Sequence, residues 1–76
     1  MTRGIHNWRY IDVVVFLRKC GFTLERSRGS HHYYTRVISD KVYTVTVQFH
    51  GSKAIDPRIM NSIIRQSGIP KEEWFK

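Results

Sequence analysis

Two consecutive histidines, His31 and His32, follow a Gly29-Ser30 step and precede two tyrosines, Tyr33 and Tyr34. Arginines stand at 26, 28 and 36, on either side of the run. Imidazole, with an unperturbed pKa of roughly 6.5, both takes and gives a proton near neutral pH. Guanidinium is a permanent planar fork that matches phosphate. A tyrosine ring offers a π-face on which a base can stack. Together these groups point to chemistry on RNA. RNA carries its own nucleophile, the 2′-hydroxyl. A site that removes that proton and offsets charge on the phosphorane oxygens can cut the strand without a metal.

His31 is the candidate general base or acid. The same residue could instead be a strand histidine bonded to backbone, and spacing alone does not separate the two. Arg26, Arg28 and Lys53 are candidates to bind the phosphate. Ser30 and Tyr33, within the run, are also expected to touch RNA. His50 is either a further RNA contact and second acid/base, reaching over from a loop, or a cap of that loop. His32 reads as a packing or surface residue, and His6 as exposed. Neighbouring strand residues face opposite sides, so His31 and His32 cannot both address one ion. No cysteine or carboxylate cluster stands at ligand spacing. Neither a metal nor a cofactor is expected.

The elements that must position these groups follow from hydrophobic period and turn residues. Asn7 is placed to cap a helix from about Trp8 to Lys19, with Val13, Val14, Phe16, Leu17 and Cys20 on one broad face. Lys19 and Gly21 are stop signals. Ile11 and Val15 lie on another side of that helix, as a small apolar patch suited to weak self-association or a contact with another protein, or to packing against Trp8 or Trp74. Phe22 to Arg26 alternates apolar with polar, as a half-buried strand does. Gly29-Ser30 is a turn, residues 31–37 a second strand, and Ser39-Asp40-Lys41 a second turn. In the second strand His31, Tyr33 and Thr35 share one face, His32, Tyr34 and Arg36 the other. Tyr43-Thr44-Val45-Thr46-Val47 is a strand with 43, 45 and 47 inward. A loop from Phe49 to Ile55 leads to Asp56-Pro57, an N-cap followed by proline at the first helical position. Ile59, Met60, Ile63 and Ile64 form the apolar stripe of that helix, which Gly68 ends. Pro70 opens a last short turn whose aromatics, Trp74 and Phe75, fold back on the body. The fold class is therefore α+β, in the order α-β-β-β-α. A three-stranded antiparallel sheet carries both helices on one face.

At 76 residues the chain has room for one domain, spanning 1–76, and one layer of helices on one sheet. The net charge is +7. Residues 1–36 carry seven basic and two acidic side chains, residues 37–76 six and four, so the positive field centres on the half with the histidine run. Such a field favours nucleic acid, an acidic protein or an anionic surface. No apolar run approaches the ~20 residues that span a bilayer. Residues 1–6 lack a signal-peptide core, and a single cysteine, Cys20, cannot close an internal disulfide. A cytoplasmic protein without membrane contact is expected.

Four blocks in this order resemble the HicA family of toxin ribonucleases. They are Leu17-Arg18-Lys19-Cys20-Gly21-Phe22, Arg26 with Arg28-Gly29-Ser30-His31-His32-Tyr33-Tyr34, Val45-Thr46-Val47 leading to His50-Gly51, and Ile63-Ile64-Arg65-Gln66-Ser67-Gly68-Ile69. Two departures from the pattern stand out. Gln48-Phe49 stands where a proline usually follows the third strand, and Ile11 and Val15 replace a lysine-rich helix surface. The resemblance implies a fold like that of the double-stranded-RNA-binding domain. It also implies cleavage of mRNA with His31 as the catalytic histidine, and inhibition by a HicB-type antitoxin. The alternative is an RNA-binding module of the same fold without catalysis. A duplex-RNA binder concentrates lysines where its second helix begins. Here that helix opens Asp56-Pro57-Arg58-Ile59-Met60-Asn61, with one basic residue, which favours the enzyme. A DNA-binding regulator would need a basic recognition helix, and neither helix reads as one.

Overall fold

The first helix starts later than its local signals imply. Asn7 does not cap it; its backbone takes a positive φ of 67°. Helix α1 runs Tyr10–Lys19 with Arg9 at the N-cap, and the Asp12 carboxylate accepts from the Arg9 amide at 2.9 Å. Tertiary packing decides the matter. Trp8, 3% exposed, is drawn into the core, where its ring meets Trp74 edge-on at 5.6 Å. Its carbonyl accepts from the Ile55 amide. A helical Trp8 would lose both.

The computed structural model describes residues 4–49 and 51–76. After α1 come strands β1 (Thr23–Arg28), β2 (His31–Ile38) and β3 (Lys41–Gln48), then helix α2 (Pro57–Ser67) and a short α3 (Lys71–Trp74). The three strands form one antiparallel sheet in the order β1-β2-β3. The α+β layout expected from the sequence is the one observed.

Two tight turns hold the sheet. Arg28 pairs with His31, leaving Gly29 and Ser30 as a two-residue loop. Gly29 has φ of 60°, which the first position of a type II′ hairpin turn requires. Ile38 pairs with Lys41, and both loop residues, Ser39 and Asp40, have positive φ, as in a type I′ turn.

One face of the sheet is covered. Tyr34, Val45 and Val47 join Val13, Val14 and Leu17 of α1 and Met60, Ile63 and Ile64 of α2 in a single buried cluster that also takes in Phe22, Ile55 and Trp74. At about 25 cal/mol per Å² of apolar surface removed from water, this burial is the main stabilising term. Helix α2 is held at both ends. Asp56 accepts from the Arg58 amide at 2.8 Å, and Gly68 closes the helix in the left-handed region, φ 71°. A side chain at 68 would also overlap the Tyr43 ring. Along β3, the Gln66 side chain accepts from the Thr46 amide at 3.0 Å, satisfying one donor of an edge strand. The other face of the sheet is open, with His31, Val37, Val42, Thr44 and Gln48 exposed. Among the described residues no helix is long and apolar enough to cross a membrane.

Candidate functional site

Simple alternation along β1 would put Leu24, Arg26 and Arg28 on one face. The sheet does otherwise. Leu24 pairs with Tyr34, but Arg26 pairs with Tyr33, the next residue of β2, so Glu25 is an extra residue in the ladder. This β-bulge reverses the phase of the strand. Leu24 stays on the helix-covered side opposite Tyr34. Arg26 and Arg28 move to the open face, opposite Tyr33 and His31. The phase change is written in the sequence as charge at 26 and 28, where the Phe22-Leu24 alternation calls for apolar residues.

The open face thus gathers four of the expected residues at one end of the sheet. His31 is exposed, with Arg28 directly across the ladder on one side and Gln48 on the other. The Arg26 guanidinium lies over the Tyr33 ring, 4.6 Å from its centroid, which pre-orders both groups by cation–π attraction. Ser30 sits in the exposed turn, and its carbonyl accepts from the Phe49 amide at 2.8 Å. That bond ties the end of β3 to the backbone just before His31. Lys53 is exposed but belongs to the far edge of β3, near Gln48 rather than beside Arg28. His50 lies outside the described residues.

His32 has a different fate. It points to the helix-covered side, half-buried, and its Nδ1 is hydrogen-bonded to the Tyr10 hydroxyl. The Tyr10 hydroxyl is also 3.1 Å from that of Tyr34, which is 2% exposed. Burial, and after it the bond to Tyr34, push the Tyr10 hydroxyl well above the usual tyrosine range, so it keeps its proton. Tyr10 also meets the rings of His32 and Phe49 edge-on at 5.2 and 5.1 Å. The chain Tyr34–Tyr10–His32 therefore fastens α1 beneath the start of β2. Its effect is to commit one histidine to structure and leave the other facing outward. Neither Tyr10 nor Gln48 stands out in the sequence as part of a site. Tyr10 reads as one more helical residue, and Gln48 is found only through the strand register.

Several other residues fall where expected. His6 is exposed. Tyr43 is half-buried on the covered face, and the Cys20 thiol is half-buried against the core, where burial raises its pKa. Ile11 and Val15 are exposed, at 59% and 52%, over a shallow cavity of about 420 Å³ that Trp8, Phe16 and Trp74 also line. Among the described residues, no three His, Cys, Asp or Glu side chains are grouped as metal ligands would be.

A family model described as "HicA toxin of bacterial toxin-antitoxin" matches residues 11–69, from the first turn of α1 to just beyond the end of α2. No curated protein matches the chain. No solved structure matches it either.

Proposed function

The chain belongs to the HicA toxin family and is the toxin of a toxin–antitoxin pair with a cognate antitoxin; from that premise we propose that it is an endoribonuclease that cuts mRNA by acid–base catalysis at His31, with no metal. One observation carries the reading. Of two adjacent histidines, His32 is tied up with Tyr10, while His31 is exposed on a sheet face that also bears Arg26, Arg28 and Tyr33.

In this reaction neutral His31 accepts the 2′-hydroxyl proton as the 2′ oxygen bonds to phosphorus. The bond from phosphorus to the 5′ oxygen breaks, and that oxygen takes a proton from the imidazolium or from water. The products are a 2′,3′-cyclic phosphate and a 5′-hydroxyl. Positioned acid–base catalysis of this kind contributes about 10²–10⁴-fold. Arg28, across the ladder, offsets charge on the phosphorane oxygens. Tyr33, with Arg26 stacked on it, holds a neighbouring base, and Ser30 and Lys53 extend the contact along the backbone. The site of action is the cytoplasm, where mRNA is found, and a HicB-type antitoxin silences the site.

An RNA-binding module without catalysis is the weaker reading. The one basic residue in the first turn of α2, Arg58, has its guanidinium within 3.3 Å of the Asp56 carboxylate and is not held free for a groove. The test is an RNA carrying a single 2′-deoxynucleotide at a mapped cut, digested in EDTA. Cleavage is expected everywhere except at that position, with cyclic-phosphate ends. Cutting at the deoxy position, or cutting only after a divalent ion is restored, would refute the mechanism. RNA binding without any cleavage would leave the binding module.

A further inference from the structure

Beyond the face that holds His31, β3 borders a second feature. Between its last residues and the start of α2 lies a cavity of about 200 Å³. Its floor is apolar and buried: Val47, Ile55 and Ile63 are 0%, 5% and 1% exposed. Ile59, 53% exposed, forms a wall left open to solvent among the described residues. Gln48 and Lys53 stand at the rim. An apolar slot with a few polar groups at its mouth is the usual form of a small-ligand site. The volume is below the range of about 300–1,000 Å³ that drug-sized ligands fill, so the slot takes a smaller group.

The position of this slot is what gives it meaning. Gln48 is at once a wall of the cavity and the ladder partner of His31. The slot therefore lies along the outer edge of the strand next to the one bearing the imidazole, its floor of Val47, Ile55 and Ile63 on the helix-covered side while His31 stands on the open face. Lys53 brings positive charge to the mouth, where a phosphate entering with its base would pass. Asp56 also borders the slot, but its carboxylate is engaged by the side chain of Arg58 and, after it, by the Arg58 amide, which hold its pKa below the usual carboxylate range. The Gln48 amide both donates and accepts, as reading a base edge requires.

We propose that this slot holds the nucleobase next to the cut and sets which sites in an RNA are cleaved. The proposal rests on the ribonuclease reading of His31. It adds a specificity site, with Gln48, Lys53 and Ile59 as its determinants, on the side of His31 away from Arg28.

The test has two arms. In the first, the full chain is titrated with AMP, GMP, CMP and UMP while the methyl resonances of Val47, Ile55, Ile59 and Ile63 are followed. One nucleotide is expected to shift them saturably, leaving the Val37 and Val42 methyls at the far end of the sheet unmoved. In the second, wild type and Ile59→Trp, which fills the slot from an exposed position, are compared on one long RNA at equal extent of cleavage. The preference among bases at the cut is expected to fall by about tenfold, the scale on which a pocket of this kind discriminates. Cleavage with an unchanged site pattern and no methyl shifts would overturn the slot and leave the ribonuclease standing. Methyl shifts without any cleavage would overturn the ribonuclease reading and with it the slot's part in choosing cut sites, leaving a nucleotide pocket alone. Methyl shifts produced by the antitoxin and by none of the four nucleotides would assign the cavity to a protein partner and overturn the proposal.

Discussion

The two faces of the sheet are built from the same strands and do opposite work. On the covered face, alternate residues of β2 and β3 are locked: Tyr34, Val45 and Val47 are at most 2% exposed, and His32 is hydrogen-bonded into the helix layer. On the open face their immediate neighbours, His31, Tyr33, Thr46 and Gln48, face solvent across a ladder edged with arginine. The period-2 geometry of a strand lets one face hold the fold while the other stays free for chemistry. The bulge at Glu25 extends this division to β1 by turning Arg26 and Arg28 outward. Substitutions on the covered face should therefore act on stability, and those on the open face on RNA.

The largest stability effect is expected at Leu17, 0% exposed among the helix contacts. Leu17→Ala should cost about 2–5 kcal/mol, read as a lower denaturant midpoint at unchanged slope. A cost below 1 kcal/mol would mean that the helix layer is not packed as described. Arg28→Ala should leave the denaturation midpoint alone and weaken RNA binding by about 1.5–3 kcal/mol, the worth of a charge-assisted bond. Its affinity should also depend less on salt, the log–log slope falling by about 0.7, as one single-strand phosphate contact implies. An unchanged slope would take Arg28 off the RNA path.

Tyr10→Phe separates the two histidines. It removes the hydroxyl that serves His32 and Tyr34, at a cost of about 1–2 kcal/mol in stability. Cleavage measured well below the melting temperature should stay near wild type. A loss of rate larger than the loss of stability would bring His32 into the chemistry. The smallest effect concerns Asp56. The side-chain bond from Arg58, and after it the Arg58 amide, hold its pKa low. A depressed carboxyl stabilises the fold above its unfolded pKa, about 3.9 for Asp, and that contribution fades as pH falls through the folded value. Wild type should thus be slightly more stable than Asp56→Asn at neutral pH, and the two melting temperatures should converge below about pH 4. A constant gap would place the effect in cap geometry alone.

Much of this arrangement was legible in the sequence. Asp56-Pro57 and Gly68 mark the ends of α2 because caps and left-handed closure are local matters. The alternation of Tyr43, Val45 and Val47 fixes the inward face of β3 for the same reason. The partition of His31 from His32 also follows from strand geometry, once residues 31–37 are read as a strand. What local rules miss is set by distant partners. Local spacing places Trp8 in a helix, but it belongs to a core shared with Trp74, 66 residues away along the chain. The bulge at Glu25 depends on which residues of β2 stand opposite, and Gln48 joins the site only through register. Tyr10 reaches His32 across 22 positions, a contact that no spacing rule within one element reports.

The central claim is that the outward histidine does the chemistry and the inward one does not. It is tested most directly by rates of RNA cleavage, in EDTA, for wild type, His31→Ala and His32→Gln, with melting curves for all three. His31→Ala should lose about 10²–10⁴-fold in rate and melt as wild type does. His32→Gln should melt lower and keep its rate within about tenfold, since its side-chain amide, which can both donate and accept, can still hydrogen-bond to Tyr10. A His31→Ala protein that cuts at the wild-type rate, beside an inactive but folded His32→Gln, would contradict the account.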